Sequence, residues 1–140
     1  MKKTMKVMAL LLCAIMMATV LSSCSKEDSY QKKIIGRWSF TNEVDYYYDA
    51  SNTLVNTEDF SVGFVVEFTD SGNFIVGGLR SVPFSINDNT LMIGGAEDYD
   101  IYEIDELTST KMVWKEQEPW TDGGSGAYKI MISYFEKLTD

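Results

Sequence analysis

The sequence of 140 residues contains no histidine. Imidazole acid–base catalysis, Ser-His catalytic triads and histidine-ligated metal sites are therefore excluded within this chain. It also carries no P-loop and no dinucleotide-binding fingerprint. The glycine-rich segment at residues 123–127 comes near a nucleophile elbow, but it precedes a predicted strand, whereas an elbow leads into a helix. These absences predict a protein that is not an enzyme and that uses no metal or cofactor.

Long apolar stretches are equally scarce. The one apolar run covers residues 7–20, interrupted by Thr19, and its 14 residues fall short of the ~20 that a helix needs to cross the bilayer core. Lys2, Lys3 and Lys6 precede this run, which is the charge pattern of an export signal. The sequence therefore predicts a cleaved N-terminal signal helix at residues 1–23, and no apolar helical stripe follows it.

The end of this leader has a distinctive pattern of small residues before a cysteine. Leu21, Ser22, Ser23 and Cys24 resemble the lipobox of bacterial lipoproteins. The resemblance implies that Cys24 becomes the first residue of the mature protein and is linked to a diacylglycerol, so that two or three acyl chains hold the protein on a membrane. The alternative is an ordinary signal peptide followed by a free cysteine, which is unusual in an exported protein.

The segment that follows Cys24 is short and charged. Position 25 is serine and not aspartate, which resembles the pattern of lipoproteins that are transported to the outer membrane. Residues 26–28 are similar to the surface-export signal of Bacteroidota lipoproteins. The alternative is a hydrophilic tether. We therefore predict a signal peptide at 1–23, a lipidated tether at 24–34 and one domain at 35–140. Cys13 leaves with the leader and Cys24 is acylated, so no intrachain disulfide remains.

Charge limits the range of partners. Three of the 12 basic residues lie in the leader, whereas all 21 acidic residues follow it, so the processed chain carries a net charge of −12. This balance argues against a nucleic-acid partner, because phosphate binding needs a basic face. The acidic stretch at residues 97–106 suggests either a calcium site or a solvated rim. It lacks the residue order of a calcium loop, which favours the rim.

The processed chain alternates apolar and polar residues with the period of two that is typical of half-buried strands. The clearest run lies at residues 60–68. In the first strand, the predicted buried face comprises Trp38, Phe40, Asn42, Val44, Tyr46 and Tyr48. In the last strand, it comprises Tyr128, Ile130, Ile132 and Tyr134.

Eight such runs are joined by short turn sequences. A break in the period at Asp105 and Glu106 predicts a β-bulge. The spacing predicts an all-β fold, either an antiparallel sandwich or an up-and-down barrel, and closure into a barrel would protect every strand edge. The predicted strands lie at residues 37–48, 60–68, 74–76, 83–86, 90–93, 99–107, 111–116 and 128–134.

Several strand and turn motifs recur in a familiar order. They are Gly36-x-Trp38 and residues 68–74, 84–91, 102–108 and 134–138. This order resembles the lipocalin-like domains of Bacteroidota lipoproteins over essentially the whole mature domain. The resemblance implies a single antiparallel up-and-down β-barrel of about eight strands, closed at the end where Trp38 packs. In classical lipocalins an arginine near the last strand lies over that tryptophan; here the late basic residues are Lys129 and Lys137.

Five residues are candidate contacts for a ligand or partner. Asn42, if it points inward, is either a hydrogen-bonded core amide or a polar handle for a ligand. The rings of Tyr46 and Trp120 offer flat faces for a sugar or a partner's side chains, or else they fill the core and plug the barrel mouth. Trp38 and Tyr134 are expected to bound the barrel interior.

Two hypotheses of function follow. The first is an envelope-anchored lipocalin-like lipoprotein at the outer membrane that binds a small apolar or amphipathic ligand without catalysis. Eight strands enclose either a packed core or space for one small ligand. The alternative is a surface module for a protein partner, such as an enzyme inhibitor or an accessory subunit of an envelope complex. An exposed 119–126 loop with Trp120 pointing outward would mark that alternative.

Overall fold

The computed structural model describes residues 26–139, which form one α-helix, a short 3-10 helix (Thr121–Gly123) and eight antiparallel strands closed into a barrel. Each strand pairs with the next along the chain, and the last pairs with the first. The predicted all-β, up-and-down barrel is therefore confirmed, whereas the predicted signal peptide, the lipobox and Cys24 lie outside the described residues. The elements are α1 (Lys26–Ile34), β1 (Gly36–Tyr48), β2 (Leu54–Phe68), β3 (Asn73–Val76), β4 (Arg80–Asn87), β5 (Thr90–Gly94), β6 (Tyr99–Leu107), β7 (Lys111–Pro119) and β8 (Tyr128–Lys137).

Strand β2 is longer than the sequence predicts. It begins at Leu54 rather than near residue 60, and its pairing with β1 continues from Asp45 opposite Glu58 to Tyr48 opposite Leu54. Residues 54–59 are polar or exposed, so the apolar pattern does not reveal this part of the strand. Backbone hydrogen bonds between β1 and β2 extend the hairpin past the apolar core.

Three register shifts interrupt the strand pairing, and one of them lies beside the turn of the β1–β2 hairpin. The predicted bulge near Asp105 is confirmed by a register shift between Ile104 and Glu106. A second bulge, which was not predicted from the sequence, lies between Phe40 and Asn42 on β1. Since a bulge inserts one extra residue into a strand, the residues beyond it exchange faces.

The predicted inner face of β1 is therefore wrong beyond Phe40. Glu43 pairs with Ser133, and both line the barrel interior together with Phe40. Asn42 pairs with Tyr134, on the opposite face of the sheet. The residues assigned to the wrong face of β1 are Asn42, Val44, Tyr46 and Tyr48.

The predicted inner face of β8 is also wrong, for a different reason. Phe135 is buried in the core, and unbroken alternation from it turns Ser133, Met131 and Lys129 inward. Both faces of β8 carry large apolar residues, so the alternation alone does not identify the inner face. The residues that consequently face outward are Tyr128, Ile130, Ile132 and Tyr134.

Helix α1 covers one end of the barrel, which we call the closed end. Its last residue, Ile34, is 0 % exposed, and Tyr30 packs against the same core. The predicted tether at residues 24–34 therefore includes a helix that belongs to the domain. A helix of nine residues is marginal in isolation, so packing against the barrel stabilises it.

Two side chains join α1 to the barrel. The Trp38 indole Nε1 donates a hydrogen bond to the Ile34 carbonyl at 2.7 Å, and Lys137 Nζ donates to the Lys33 carbonyl at 2.9 Å. Carbonyls in the last turn of a helix have no partner within the helix, and a positive charge there is favourable. Lys137 Nζ also lies 5.0 Å from the centre of the Trp38 ring, so a lysine occupies the position over the tryptophan that the lipocalin resemblance gives to arginine.

Gly36 is required at the junction between α1 and β1. Its φ angle is 127°, a conformation that residues with a side chain rarely adopt. A Cβ atom at this position would also lie 2.9 Å from Lys137 Cε. The Gly36-x-Trp38 motif therefore combines a glycine that lets Lys137 approach with a tryptophan that seals the closed end.

Within residues 26–139, no helix is both long and apolar enough to cross a membrane.

The apolar core fills the half of the barrel next to α1. The largest fully buried side chains are Trp38, Phe68, Ile34, Leu91, Met112 and Val66.

We predict that Ile34→Ala lowers the free energy of unfolding by about 2–5 kcal/mol, because it leaves a cavity where α1 meets the core. Chemical denaturation followed by circular dichroism measures this change. Lys32→Ala, at an exposed position of the same helix, is the matched control and should have little effect. Equal stability of the two variants would show that α1 is not part of the folded domain.

Candidate functional site

A cavity of about 300 Å³, partly open to solvent, lies in the barrel between its apolar core and its open end. The deeper walls, which we call the floor, are formed by Phe40, Phe64, Val66, Trp114 and Phe135. Phe64 is 43 % exposed and lines this cavity, so part of its apolar surface is available to a ligand. The remaining lining residues are Glu43, Phe74, Val76, Tyr102, Glu116, Met131 and Ser133.

The aromatic rings of the floor pack against one another. Phe40 stacks on Phe135 with ring centres 4.6 Å apart, and it meets Phe64 edge-on at 5.1 Å. Trp114 lies 4.2 Å from Phe135 by the same measure. These contacts hold the rings in fixed orientations, so the floor is a preformed apolar surface.

The upper part of the interior, which we call the mouth, is charged. Glu43 and Asp45 of β1, Glu116 and Glu118 of β7, and Lys129 of β8 occupy its interior face. On β7, the two carboxylates continue the alternation that starts with the buried residues Met112 and Trp114. The interior therefore changes from apolar at the floor to predominantly acidic at the mouth.

Lys129 bridges two of these carboxylates. Its Nζ lies 2.9 Å from Glu118 Oε1 and 3.4 Å from Asp45 Oδ2. Burial alone would lower the pKa of Lys129, but the hydrogen bond to Glu118 and the charges of both carboxylates outweigh it and raise this pKa. Lys129 is therefore held in its charged form.

Tyr47 adds a hydroxyl group to the mouth. It donates to Glu58 Oε2 at 2.8 Å and lies 3.3 Å from Asp45 Oδ2. The hydrogen bond to Glu58, together with burial and the charge of Asp45, raises the pKa of Tyr47 to about 12. At neutral pH its phenol is therefore a donor to these carboxylates and carries no charge.

Asp45 is the most deeply buried acid of the mouth, at 4 % exposed. Its Oδ2 receives the contacts from Lys129 and Tyr47, whereas its Oδ1 is buried and accepts no hydrogen bond from residues 26–139. An unpaired buried acceptor carries a desolvation penalty of about 1–3 kcal/mol, and more when it is charged.

The other carboxylates of the interior repel one another. Burial raises the pKa of Glu116, and the nearby charges of Asp100, Glu118 and Glu43 raise it further. Burial and the charges of Glu116 and Asp100 also raise the pKa of Tyr102, whose side chain lines the cavity. Ser133 Oγ donates to Glu43 Oε2 at 3.1 Å, which supplies one neutral donor to this group.

A second cavity of about 210 Å³ adjoins the first at the open end. It shares Phe74, Val76 and Tyr102 with the first cavity, and its other walls include Arg80 and Asp100. The two cavities are therefore neighbours that share these three side chains.

The five sequence-predicted contact residues are divided among three parts of the barrel and do not form one site. Trp38 seals the closed end beneath the cavity and does not line it. Asn42, Tyr46 and Tyr134 lie on the outer face of the barrel, so the expectation that they face the interior is wrong. Trp120 is at the mouth.

Trp120 packs inward across the end of the barrel. Its ring meets Tyr47 edge-on with centres 5.1 Å apart, and a Cβ atom at Gly123 would overlap the ring. Gly123 thus allows the 120–127 loop to fold over the tryptophan. Trp120 is half-buried, as expected for a plug of the barrel mouth.

The acidic stretch at residues 97–106 divides between the two faces. Asp100 points toward the second cavity, whereas Glu103 and Asp105 pair with Lys115 on the outer face, at 3.3 and 3.1 Å. Among residues 26–139, no group of three or more acidic or cysteine side chains is arranged to hold a metal ion.

Four charged residues of the interior were not predicted from the sequence: Glu43, Asp45, Glu116 and Lys129. The inward position of Glu116 can be predicted from the sequence, because Glu116 follows Met112 and Trp114 at every second position of one strand. The positions of Glu43 and Asp45 depend on the bulge after Phe40, which the apolar pattern does not reveal.

Fold and site together define a small closed β-barrel with an internal cavity, an apolar floor and an acidic mouth. No protein-family model matches this chain, and no curated protein matches its sequence.

We predict that Glu116→Gln raises the melting temperature at neutral pH. Because the folded state raises the pKa of Glu116, ionised Glu116 costs stability above that pKa, and the cost disappears as pH falls toward the ordinary value of 4.5. The gain from glutamine should therefore be largest near neutral pH and vanish below 4.5. Thermal unfolding at a series of pH values measures it. Glu103→Gln, on the outer face, is the control without such a gain, and a difference independent of pH would contradict the prediction.

Proposed function

We propose that this protein binds one small amphipathic molecule inside the barrel and does not catalyse a reaction on it. The observation that carries the proposal is the cavity of about 300 Å³. Ligand pockets in proteins occupy about 300–1,000 Å³, so this cavity suits a single small molecule. In this role the protein is a lipocalin-like binding protein.

The chemistry of the walls supports an amphipathic ligand over a wholly apolar one. The ring cluster of Phe40, Phe64 and Phe135 offers an apolar surface to the body of a ligand. Glu43 and Glu116 line the same cavity, and a ligand that left them buried without a partner would incur their desolvation cost. A polar end beside these carboxylates avoids that cost.

Trp120 favours interior binding over a surface module for a protein partner. A module for a protein partner would direct Trp120 outward, whereas the Trp120 ring packs against Tyr47 at the mouth. In the proposed function, Tyr47 and Trp120 border the entrance to the cavity.

The proposal also places the protein at the cell envelope. The lipobox-like residues before Cys24 support acylation of that cysteine and anchoring to the outer membrane, with exposure at the cell surface. Two or three acyl chains would hold the protein there stably. The net charge of −12 after processing suits a domain that remains soluble above a membrane.

We predict that Val76→Phe lowers the affinity for N-phenyl-1-naphthylamine, a neutral apolar fluorophore, at least tenfold. Val76 lines the cavity, and a larger ring there occupies space that the probe needs. Fluorescence titration measures the affinity, and circular dichroism verifies that the barrel is retained. Val113→Phe is the matched control, because Val113 lies on the outer face between Met112 and Trp114. Equal affinities of the two variants would contradict interior binding.

We predict that Cys24→Ser releases the protein from membranes, because serine has no thiol for the thioether bond to a diacylglycerol. Cell fractionation with a carbonate wash, followed by immunoblotting, measures the membrane-bound fraction. The unaltered protein should stay in the pellet. A Cys24→Ser variant that still pellets after the wash would show that the anchor is not at this cysteine.

A further inference from the structure

Closure of the barrel leaves a long strand edge without a partner. Strand β2 pairs with β1 from one end to the other, whereas β3 pairs only with residues 66–68 of β2. The Gly77 amide donates a hydrogen bond to the Val65 carbonyl at 3.1 Å, and the turn to β4 follows directly. Within residues 26–139, no strand pairs with the second edge of β2 at residues 54–64, which we call the open edge.

The open edge is rich in exposed apolar side chains. Residues 54–61 are all exposed. The large apolar residues exposed on this edge or in the neighbouring β3–β4 turn are Leu54, Val55, Phe60, Phe64 and Leu79. Proteins protect exposed strand edges with lysine, with proline or with very short strands, whereas residues 54–64 contain neither lysine nor proline. The open edge therefore has the properties of a surface that another strand covers.

The backbone of the open edge determines the shape of its partner. The edge of a strand presents N–H and C=O groups at alternate residues, spaced about 7 Å apart along the strand. An extended peptide segment matches this spacing when it adds a strand to an exposed sheet edge. The partner is therefore an extended segment of polypeptide.

The two faces of β2 beside the open edge differ in chemistry. Phe60 lies opposite Glu43 and points toward the interior, where Phe64 lines the cavity. Asp59 lies opposite Val44 and points outward. The side chains of an added strand alternate in the same way, so one face lies beside the two rings and the other beside Asp59. Each ring is 43 % exposed, so apolar side chains on the inner face would bury apolar surface.

Charge distinguishes between a foreign partner and a second copy of this chain. Residues 49–79 contain no lysine or arginine, whereas their acidic residues are Asp49, Glu58, Asp59, Glu67 and Asp70. A second copy would bring the same acidic segment against itself, and like charges across an interface are unfavourable. A basic segment is complementary to this charge.

We propose that the open edge binds an extended segment of another protein in which basic residues alternate with apolar ones. The segment adds a strand beside β2, its apolar side chains pack on Phe60 and Phe64, and its basic side chains lie near Asp59. This interaction is additional to the small molecule in the cavity, and it uses a different surface from the 120–127 loop.

Three labelled peptides of equal length test the proposal. Fluorescence anisotropy on the purified protein at neutral pH measures the affinities for fluorescein-labelled (Lys-Val)5, (Glu-Val)5 and a (Lys-Val)5 peptide that is N-methylated at every residue. We expect (Lys-Val)5 to bind at least tenfold more tightly than either of the others. The second peptide reverses the charge, and the third keeps the side chains but has no backbone donors.

Hydrogen exchange and two variants locate the binding. Bound (Lys-Val)5 should slow amide exchange in residues 54–64 and leave β8 unchanged, because β8 is paired on both edges. Asp59→Lys should weaken binding of (Lys-Val)5 at least threefold. Glu106→Lys makes the same change of charge at an exposed position of β6 and should leave the affinity unchanged. Circular dichroism verifies that both variants fold.

Four results would overturn the proposal. The first is that (Lys-Val)5 does not bind, and the second is that the N-methylated peptide binds equally well, because side chains alone would then account for the affinity. The third is an equal loss of affinity in Asp59→Lys and Glu106→Lys, which would show a response to net charge only. The fourth is a dimer in sedimentation velocity without peptide in which residues 54–64 already exchange slowly, because a second copy would then cover the edge.

Discussion

The β-bulge after Phe40 determines the chemistry of the barrel interior. One extra residue on β1 brings Glu43 opposite Ser133 and Asp45 opposite Met131. With regular alternation, Asn42, Val44 and Tyr46 would face inward instead, and this side of the cavity would carry one neutral amide and apolar side chains. The bulge thus converts the upper half of β1 from a core strand into one wall of an acidic site.

The two halves of the barrel contribute differently to the stability of the fold. The half next to α1 is packed with apolar side chains around Trp38 and Phe68, and its burial supplies the main stabilisation of the fold. The half at the open end holds carboxylates whose charges oppose one another, and only part of that charge is balanced by Lys129. The site therefore depends on stability generated at the opposite end of the same barrel.

Much of the fold follows from the sequence, and much less of the site does. Period-two alternation identifies the longer strands, the turn sequences identify the short ones, and a break in the period identifies the bulge at Asp105. The bulge after Phe40 leaves a weaker signal, the three consecutive polar residues at 41–43, because the apolar residues resume at Val44 with the same parity as before. Apolar residues such as Val44 are then assigned to the interior by default, since most buried residues are apolar. The sequence pattern does not predict helix α1 because its sequence is polar, and among the helix residues whose side chains the structure describes, Tyr30 and Ile34 meet the core.

Closure of the barrel joins the two ends of the domain. Strand β1 pairs with β2, its neighbour in sequence, and with β8, about 90 residues later. Until β8 is in place, one edge of β1 has no partner, and an open strand edge invites pairing with other chains. Contacts between distant segments also slow folding, because their loop must close before they form. The interval between synthesis of β1 and docking of β8 is therefore when this protein is most exposed to aggregation.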